Sequence, residues 1–287
     1  MGALVLASQT HAPTSRQLGY MTVGGLRRAY VIVRPAVVDP AHAIPLVIAL
    51  HGYTLNATWM ESNTGWDLEA ARVGFVVAYP QGIKNSWNAG TCCGHNTGDD
   101  VGFIRDLIDR LVGDGEVDPS RVFMTGMSNG AAMAQRVACV LADRVTAVAS
   151  VSGSLLVDSC VPSRPVSVLE IHGTDDSVIP FAGGFTTGLG EFPSTTSVME
   201  TWAHADGCAD SPVLTRSGIT TTSTWGGCRG GAAVVLEAIT GGTHVWFGPN
   251  HAHGQPDAMQ TSWDFFSRVA SSQRLAVIPP ACAQLDG

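Results

Sequence analysis

Five apolar runs of strand length, separated by stretches with helical spacing, constrain this chain more than any other feature. They are Leu46 to Leu50, Gly74 to Tyr79, Arg121 to Thr125, Val145 to Val151 and Val166 to Ile171, and none alternates cleanly between apolar and polar residues. Runs of this kind read as strands covered on both faces, as in a parallel sheet. Between them, Asp99 to Val112 places Val101, Ile104, Leu107, Ile108 and Leu111 on one helical face, behind two acids that favour a helix N-terminus. Asn129 to Leu141 and Pro193 to Ala205 have helical character as well. Strand, crossover and strand in alternation predicts an α/β fold with a mostly parallel, doubly wound sheet. Gln17 to Val23 and Leu26 to Arg34 flank Gly24-Gly25, a pair suited to a two-residue turn with positive φ, so an antiparallel hairpin is expected at the N-terminal end.

With 45% hydrophobic and 14% charged residues, the chain has the material for a sizeable core and too little charge for a disordered segment. No internal repeat, heptad pattern or long linker divides it, so one domain over residues 1–287 is expected, with 1–15 and 275–287 as tails. A formal net charge of −8 and the lack of a Lys/Arg cluster argue against a nucleic-acid partner. The apolar runs fall far short of the roughly 18 residues of a membrane span, which argues against a membrane partner. The opening Met-Gly-Ala-Leu-Val-Leu-Ala-Ser lacks the basic start and the length of a secretory signal, and reads as an artificial start or a remnant of processing. Seven cysteines without CxxC spacing point to disulfides rather than a metal site, hence to an oxidising, extracellular setting, with Cys282 as the odd thiol.

The chain's GxSxG, Gly126-Met-Ser128-Asn-Gly130, lies between a strand-like run and a helix-competent run rich in small residues. The bare pattern is weak, but strand, tight turn and helix is the context of a nucleophile elbow, whose glycines permit close backbone approach. A serine hydroxyl needs a base, and the base needs an orienting group. Val166 to Ile171 ends in His172-Gly-Thr-Asp175-Asp176, which puts an acid just past the C-terminal end of a strand. Val234 to Ile239 leads into Thr240-Gly-Gly-Thr-His244-Val-Trp246, and the position of His244 after strand and glycines favours it over His251 and His253 as the base. Backbone amides would stabilise an oxyanion: that of Asn129, next to the serine, and one from the loop His51-Gly52-Tyr53-Thr54.

Together these stretches resemble the α/β-hydrolase esterase family that groups polyhydroxybutyrate depolymerases with feruloyl and acetylxylan esterases. The resemblance runs from about Pro45 to Gly248. It rests on Leu50-His-Gly52, Trp87-Asn88, Cys92-Cys93-Gly94 with Asp99-Asp100-Val101, the elbow, His172-Gly-Thr-Asp-Asp176, Trp202 with Gly207-Cys208, and Gly242-Thr-His244-Val-Trp246. It implies Ser128, Asp176 and His244 as catalytic residues, with Asp175 a bystander. The amides of Tyr53 and Asn129 are then the oxyanion hole, Cys208 pairs with Cys228, and Cys92, Cys93, Cys139 and Cys160 brace the elbow region with a connectivity the sequence leaves open. Tyr53 stands where the family usually has Cys, and Thr243 where it usually has Gly, departures that alter the pocket rather than the chemistry.

The expected activity is a secreted serine carboxylic-ester hydrolase that needs no metal or organic cofactor and acts on feruloyl, acetyl or other aryl esters of the plant wall. The substrate is small or polymeric, with Trp246, Trp87 and Tyr53 as aromatic contacts. A polyester depolymerase is the alternative. A carbohydrate-binding module, and a metallohydrolase built on His251, His253 and Asp257, are competing readings from other classes. Oligomeric state is not written in the sequence.

Overall fold

The computed structural model describes residues 14–36, 42–94, 96–248 and 254–277. In chain order the elements are β1 (Thr14–Val23), β2 (Leu26–Pro35), β3 (Ile44–Leu50), α1 (Ala57–Thr64), α2 (Trp66–Val73), β4 (Val76–Pro80) and α3 (Asp100–Gly113). There follow β5 (Val117–Met127), α4 (Asn129–Val140), β6 (Ala147–Val151), β7 (Ser167–Gly173), β8 (Gly184–Thr186), β9 (Gly190–Phe192) and α5 (Thr195–Ala205). The last are β10 (Val213–Ser217), β11 (Thr220–Trp225), β12 (Val234–Ile239) and α6 (Ala258–Val277).

Ten strands form one sheet in the order β1-β2-β4-β3-β5-β6-β7-β12-β11-β10. The six from β4 to β12 are parallel, and antiparallel pairs extend the sheet at both ends. The N-terminal hairpin turns at Gly24 and Gly25, with φ of 56° and 78°. Of the segments expected as tails, Thr14 and Ser15 pair with Pro35 and Arg34, and 275–277 continue α6; the rest lie outside the described residues.

The unbroken apolar runs are explained by two cores, one on each face of the sheet. Successive side chains of a strand point to opposite faces. Leu46, Ile48 and Leu50 of β3 accordingly join Val122 and Met124 of β5 in the core beneath α3, α4 and α5. Val47 and Ala49 join Phe123, Val151 and Ile171 in the core beneath α1, α2 and α6. Of the two acids expected at the start of α3, Asp99 caps the helix by accepting from the Gly102 N–H at 2.8 Å. Asp100 instead is buried, 2.5 Å from the Arg28 guanidinium and accepting from the Asn88 N–H at 2.7 Å. No described helix is long and apolar enough to cross a membrane.

Candidate active site

Ser128 sits at the turn from β5 into α4 with φ 56° and ψ −121°, a backbone conformation that L-residues rarely adopt and that occurs where surrounding packing enforces it. The packing is visible at the flanking glycines. A Cβ on Gly126 would lie 2.5 Å from the Gly130 carbonyl carbon, and one on Gly130 would lie 2.3 Å from Leu50 O and 2.4 Å from His51 O. Both positions therefore exclude any side chain. The Ser128 N–H donates to Val151 O at 3.0 Å, which ties the elbow to the end of β6.

The loop after β3 lies against this turn, since a Cβ built on Gly52 would stand 3.5 Å from the Ser128 Cβ. Thr54 N–H and Leu55 N–H donate to Asn85 O and Gly52 O. The Tyr53 N–H has no partner among the described residues, and the Asn129 N–H belongs to the unpaired first turn of α4. Three further groups hold the loop in place. The His51 ring is buried, its Nε2 accepting from the Gly82 N–H at 3.0 Å, and burial pulls its pKa down to about 4, so it is neutral. The Asn129 side chain pairs with Trp87, accepting from its N–H at 2.7 Å and donating to its carbonyl at 3.1 Å. The Trp87 indole N–H donates to His51 O at 2.8 Å.

The acid and the imidazole come from the C-terminal ends of the adjacent parallel strands β7 and β12. The two loops touch through glycine: a Cβ on Gly173 would fall 2.1 Å from Gly242 O, and the Asp175 N–H donates to Gly242 O at 2.9 Å. The Asp176 carboxylate accepts from the Val178 and Ile179 N–H groups, each at 2.8 Å, through Oδ1, and lies 2.7 Å from His244 Nδ1 through Oδ2. Burial acts to raise its pKa, but hydrogen bonds from His172 and His244 prevail and hold the carboxyl well below the usual carboxylate range. His244 keeps 14% of its side-chain surface exposed, and Ser152 Oγ donates to Val245 O at 3.3 Å, fastening the histidine loop to the strand end that also holds Ser128. Among the described residues no hydrogen bond joins the Ser128 hydroxyl to His244.

Of the aromatic contacts expected from sequence, two need correction. Trp87 is 1% exposed and Trp246 4% exposed, both packed into the cores, so neither presents a face to a ligand from solution. An indole N–H needs a buried acceptor, and Trp87 has found one in His51 O of the loop after β3, which makes it a strut. Tyr53, by contrast, is 40% exposed and lines a cavity of about 640 Å³ with Leu26, Ile83, Lys84, Ser86 and Asn96. Disulfides join Cys92 to Cys93, Cys139 to Cys160 and Cys208 to Cys228; Cys282 lies outside the described residues. The competing metal ligands His251 and His253 also lie outside them, while Asp257 caps α6 by accepting from Met259 N–H and Gln260 N–H. Two residues around the acid went unrecognised in the sequence, His172 and Glu170. Their signal was an acid and a histidine two residues apart in a run otherwise built for burial on both faces.

A family model described as esterase PHB depolymerase matches residues 29–182. The chain belongs to this family. Feruloyl esterase B of Piromyces equi is 30% identical to this esterase-family chain over 256 residues, which cover 85% of the chain and 45% of that protein. Feruloyl esterase C of Emericella nidulans is 28% identical over 247 residues, 83% of each. The chain thus spans less than half of the first relative and most of the second. An acetyl xylan esterase from Aspergillus awamori has the same fold, with a TM-score of 0.63 at 18% identity, covering 88% of this chain and 99% of that one. The mixed, mostly parallel sheet is that of an α/β-hydrolase fold.

Proposed function

We propose that this esterase-family protein is a secreted serine carboxylic-ester hydrolase in which Ser128 is the nucleophile, His244 its base and Asp176 the group that orients the base. The observation that carries the proposal is the 2.7 Å contact between His244 Nδ1 and Asp176 Oδ2, on a loop fastened through Ser152 to the strand end that holds Ser128. The contact keeps the imidazole proton on Nδ1 and leaves Nε2 free to accept one.

In the proposed reaction His244 Nε2 takes the proton of Ser128 Oγ as that oxygen adds to the ester carbonyl. The Tyr53 and Asn129 amides donate to the oxyanion. Collapse breaks the bond to the alcohol, which leaves with the proton from His244, and an acyl-serine remains. Water repeats the sequence and releases the acid. The Ser128 to His244 bond is made on the way to the transition state, as catalytic hydrogen bonds tighten when substrate fills the site. The names of the relatives favour feruloyl or acetyl esters, and the cavity beside Tyr53 offers room for one flank of such a substrate. The description of the family model favours a second reading, cleavage of a polyester. Three disulfides favour export to an oxidising compartment.

Ser128→Ala should abolish hydrolysis of p-nitrophenyl acetate while leaving the melting temperature within a few degrees. A variant that keeps its rate removes Ser128 from the mechanism. Rates on methyl ferulate, acetylated xylan and a polyhydroxybutyrate film separate the two substrate readings.

A further inference from the structure

On the face of β7 covered by α4 and α5, Val168 joins the apolar core, but the next two residues on that face are Glu170 and His172, both 0% exposed. Burying charge in a core costs stability unless each charge is paired and hydrogen-bonded. Here the bonding is complete. The Trp202 indole N–H donates to Gln135 Oε1 at 2.9 Å, which turns the Gln135 amide nitrogen toward Ser150 Oγ at 3.0 Å and Glu170 Oε2 at 3.2 Å. Glu170 Oε1 accepts from the Gly153 N–H at 2.9 Å and lies 2.9 Å from His172 Nδ1. His172 Nε2 lies 2.9 Å from Ile179 O and 3.3 Å from Asp176 Oδ2. Phe181 meets the ring edge-on at 5.9 Å.

The ring therefore faces acceptors at both nitrogens: the Glu170 carboxylate on one side, the Asp176 carboxylate and a carbonyl on the other. Both nitrogens must carry hydrogen to satisfy them. Burial opposes the resulting charge, but the bonds to Asp176 and Glu170 outweigh it and raise the His172 pKa to about 10. Charges then alternate through the fold as Glu170 negative, His172 positive, Asp176 negative and, in the transition state, His244 positive.

We infer that His172 is a positioning residue of the ester-hydrolysing site, a buried imidazolium anchored by Glu170 that fixes the Asp176 carboxylate and sets a positive charge across that carboxylate from His244. The inference rests on the assignment of Ser128, Asp176 and His244 proposed above. A positive charge sharing Asp176 Oδ2 with His244 repels the positive charge that His244 takes on when it accepts the serine proton.

The test has two arms. In the intact protein, ¹⁵N NMR of labelled histidine should show His172 doubly protonated from pH 6 to 9; a neutral ring at pH 7 overturns the proposal. In kinetics on p-nitrophenyl acetate, His172→Gln should move the acid limb of kcat/KM up by about one pH unit, from loss of a nearby charge, with kcat lowered and KM unchanged within twofold. Glu170→Gln keeps the cation and removes its anion, so it should move the limb the opposite way. Unchanged limbs, or shifts of the same sign in both variants, overturn the proposal, because a purely structural role predicts no opposed shifts. If His172→Gln fails to fold, the NMR arm and a downward shift in Glu170→Gln still decide. Ser128→Ala and His244→Gln run alongside: full activity in either would sink the catalytic assignment while leaving the charge of His172 separately measured.

Discussion

Replacing Trp87 by Phe separates a strut from a substrate contact. The indole N–H donates to His51 O at 2.8 Å inside a ring that is 1% exposed. Removing the donor strands a buried carbonyl, at a cost of about 1–3 kcal/mol. The smaller ring also has two fewer carbons, worth about 0.8 kcal/mol each when buried. The sum is about 2.6–4.6 kcal/mol, and at about 2 °C per kcal/mol for a chain of this size the melting temperature should fall by about 5–9 °C. Because His51 O belongs to the loop that presents the Tyr53 amide, kcat for p-nitrophenyl acetate should drop with little change in KM. Differential scanning calorimetry and steady-state kinetics read the two quantities. An unchanged melting temperature with a KM raised tenfold would refute the argument and return Trp87 to the substrate.

Gly130→Ala drives a methyl group to within 2.4 Å of Leu50 O and His51 O, so it should destabilise the fold by several kcal/mol, as overpacking against rigid backbone does, and yield little soluble enzyme; wild-type expression and melting would contradict this. Asp206 is buried with Oδ2 unpartnered while Oδ1 accepts from the Val166 N–H, and burial raises its pKa from 3.8 to about 7. A raised carboxyl pKa means that its contribution is full below the unfolded value and is lost as pH rises through about 7, so Asp206→Asn should raise the melting temperature at pH 8 and have a smaller effect at pH 4. An equal gain at both pH values would count against the assignment. Opening Cys208–Cys228, 20 residues apart in sequence, by the double Ser variant should cost about 3 kcal/mol, from the chain entropy the bridge removes in the unfolded state, measured by urea denaturation.

The parallel centre of the sheet was legible because its strands are apolar on both faces, and its boundaries came within a few residues: Val234 to Ile239 is β12 end to end. The outer strands β10 and β11 were not. Val213–Ser217 is exposed throughout and Thr220–Trp225 is mostly threonine, so neither carries the hydrophobic pattern that marks a strand, and both are defined by pairing outward from β12. The elbow could be read because strand, GxSxG and helix stand together in the chain, although only Gly126 is demanded by contacts inside the motif and Gly130 by the distant backbone of Leu50 and His51. The pairing of Asp176 with His244 could be expected only from chain order and resemblance, since nothing near either residue specifies the other across 68 positions. Trp87 and Trp246 misled because an aromatic next to a motif looks the same in sequence whether it faces a cleft or fills a core. Glu170 and His172, on β7, passed unseen because the contact that gives them meaning comes from Gln135 on helix α4.

The carboxylate of Asp176 is full. Two peptide nitrogens hold one oxygen and two imidazoles share the other, so the geometry accommodates no acid of a different length. A glutamate, one methylene longer, would have to abandon the peptide pair to stay with His244 or abandon His244 to keep the pair. Evolution or engineering that trades the acid for its longer homologue must therefore rebuild residues 176–179 at the same time, and directed libraries that vary position 176 alone should return only aspartate among active clones.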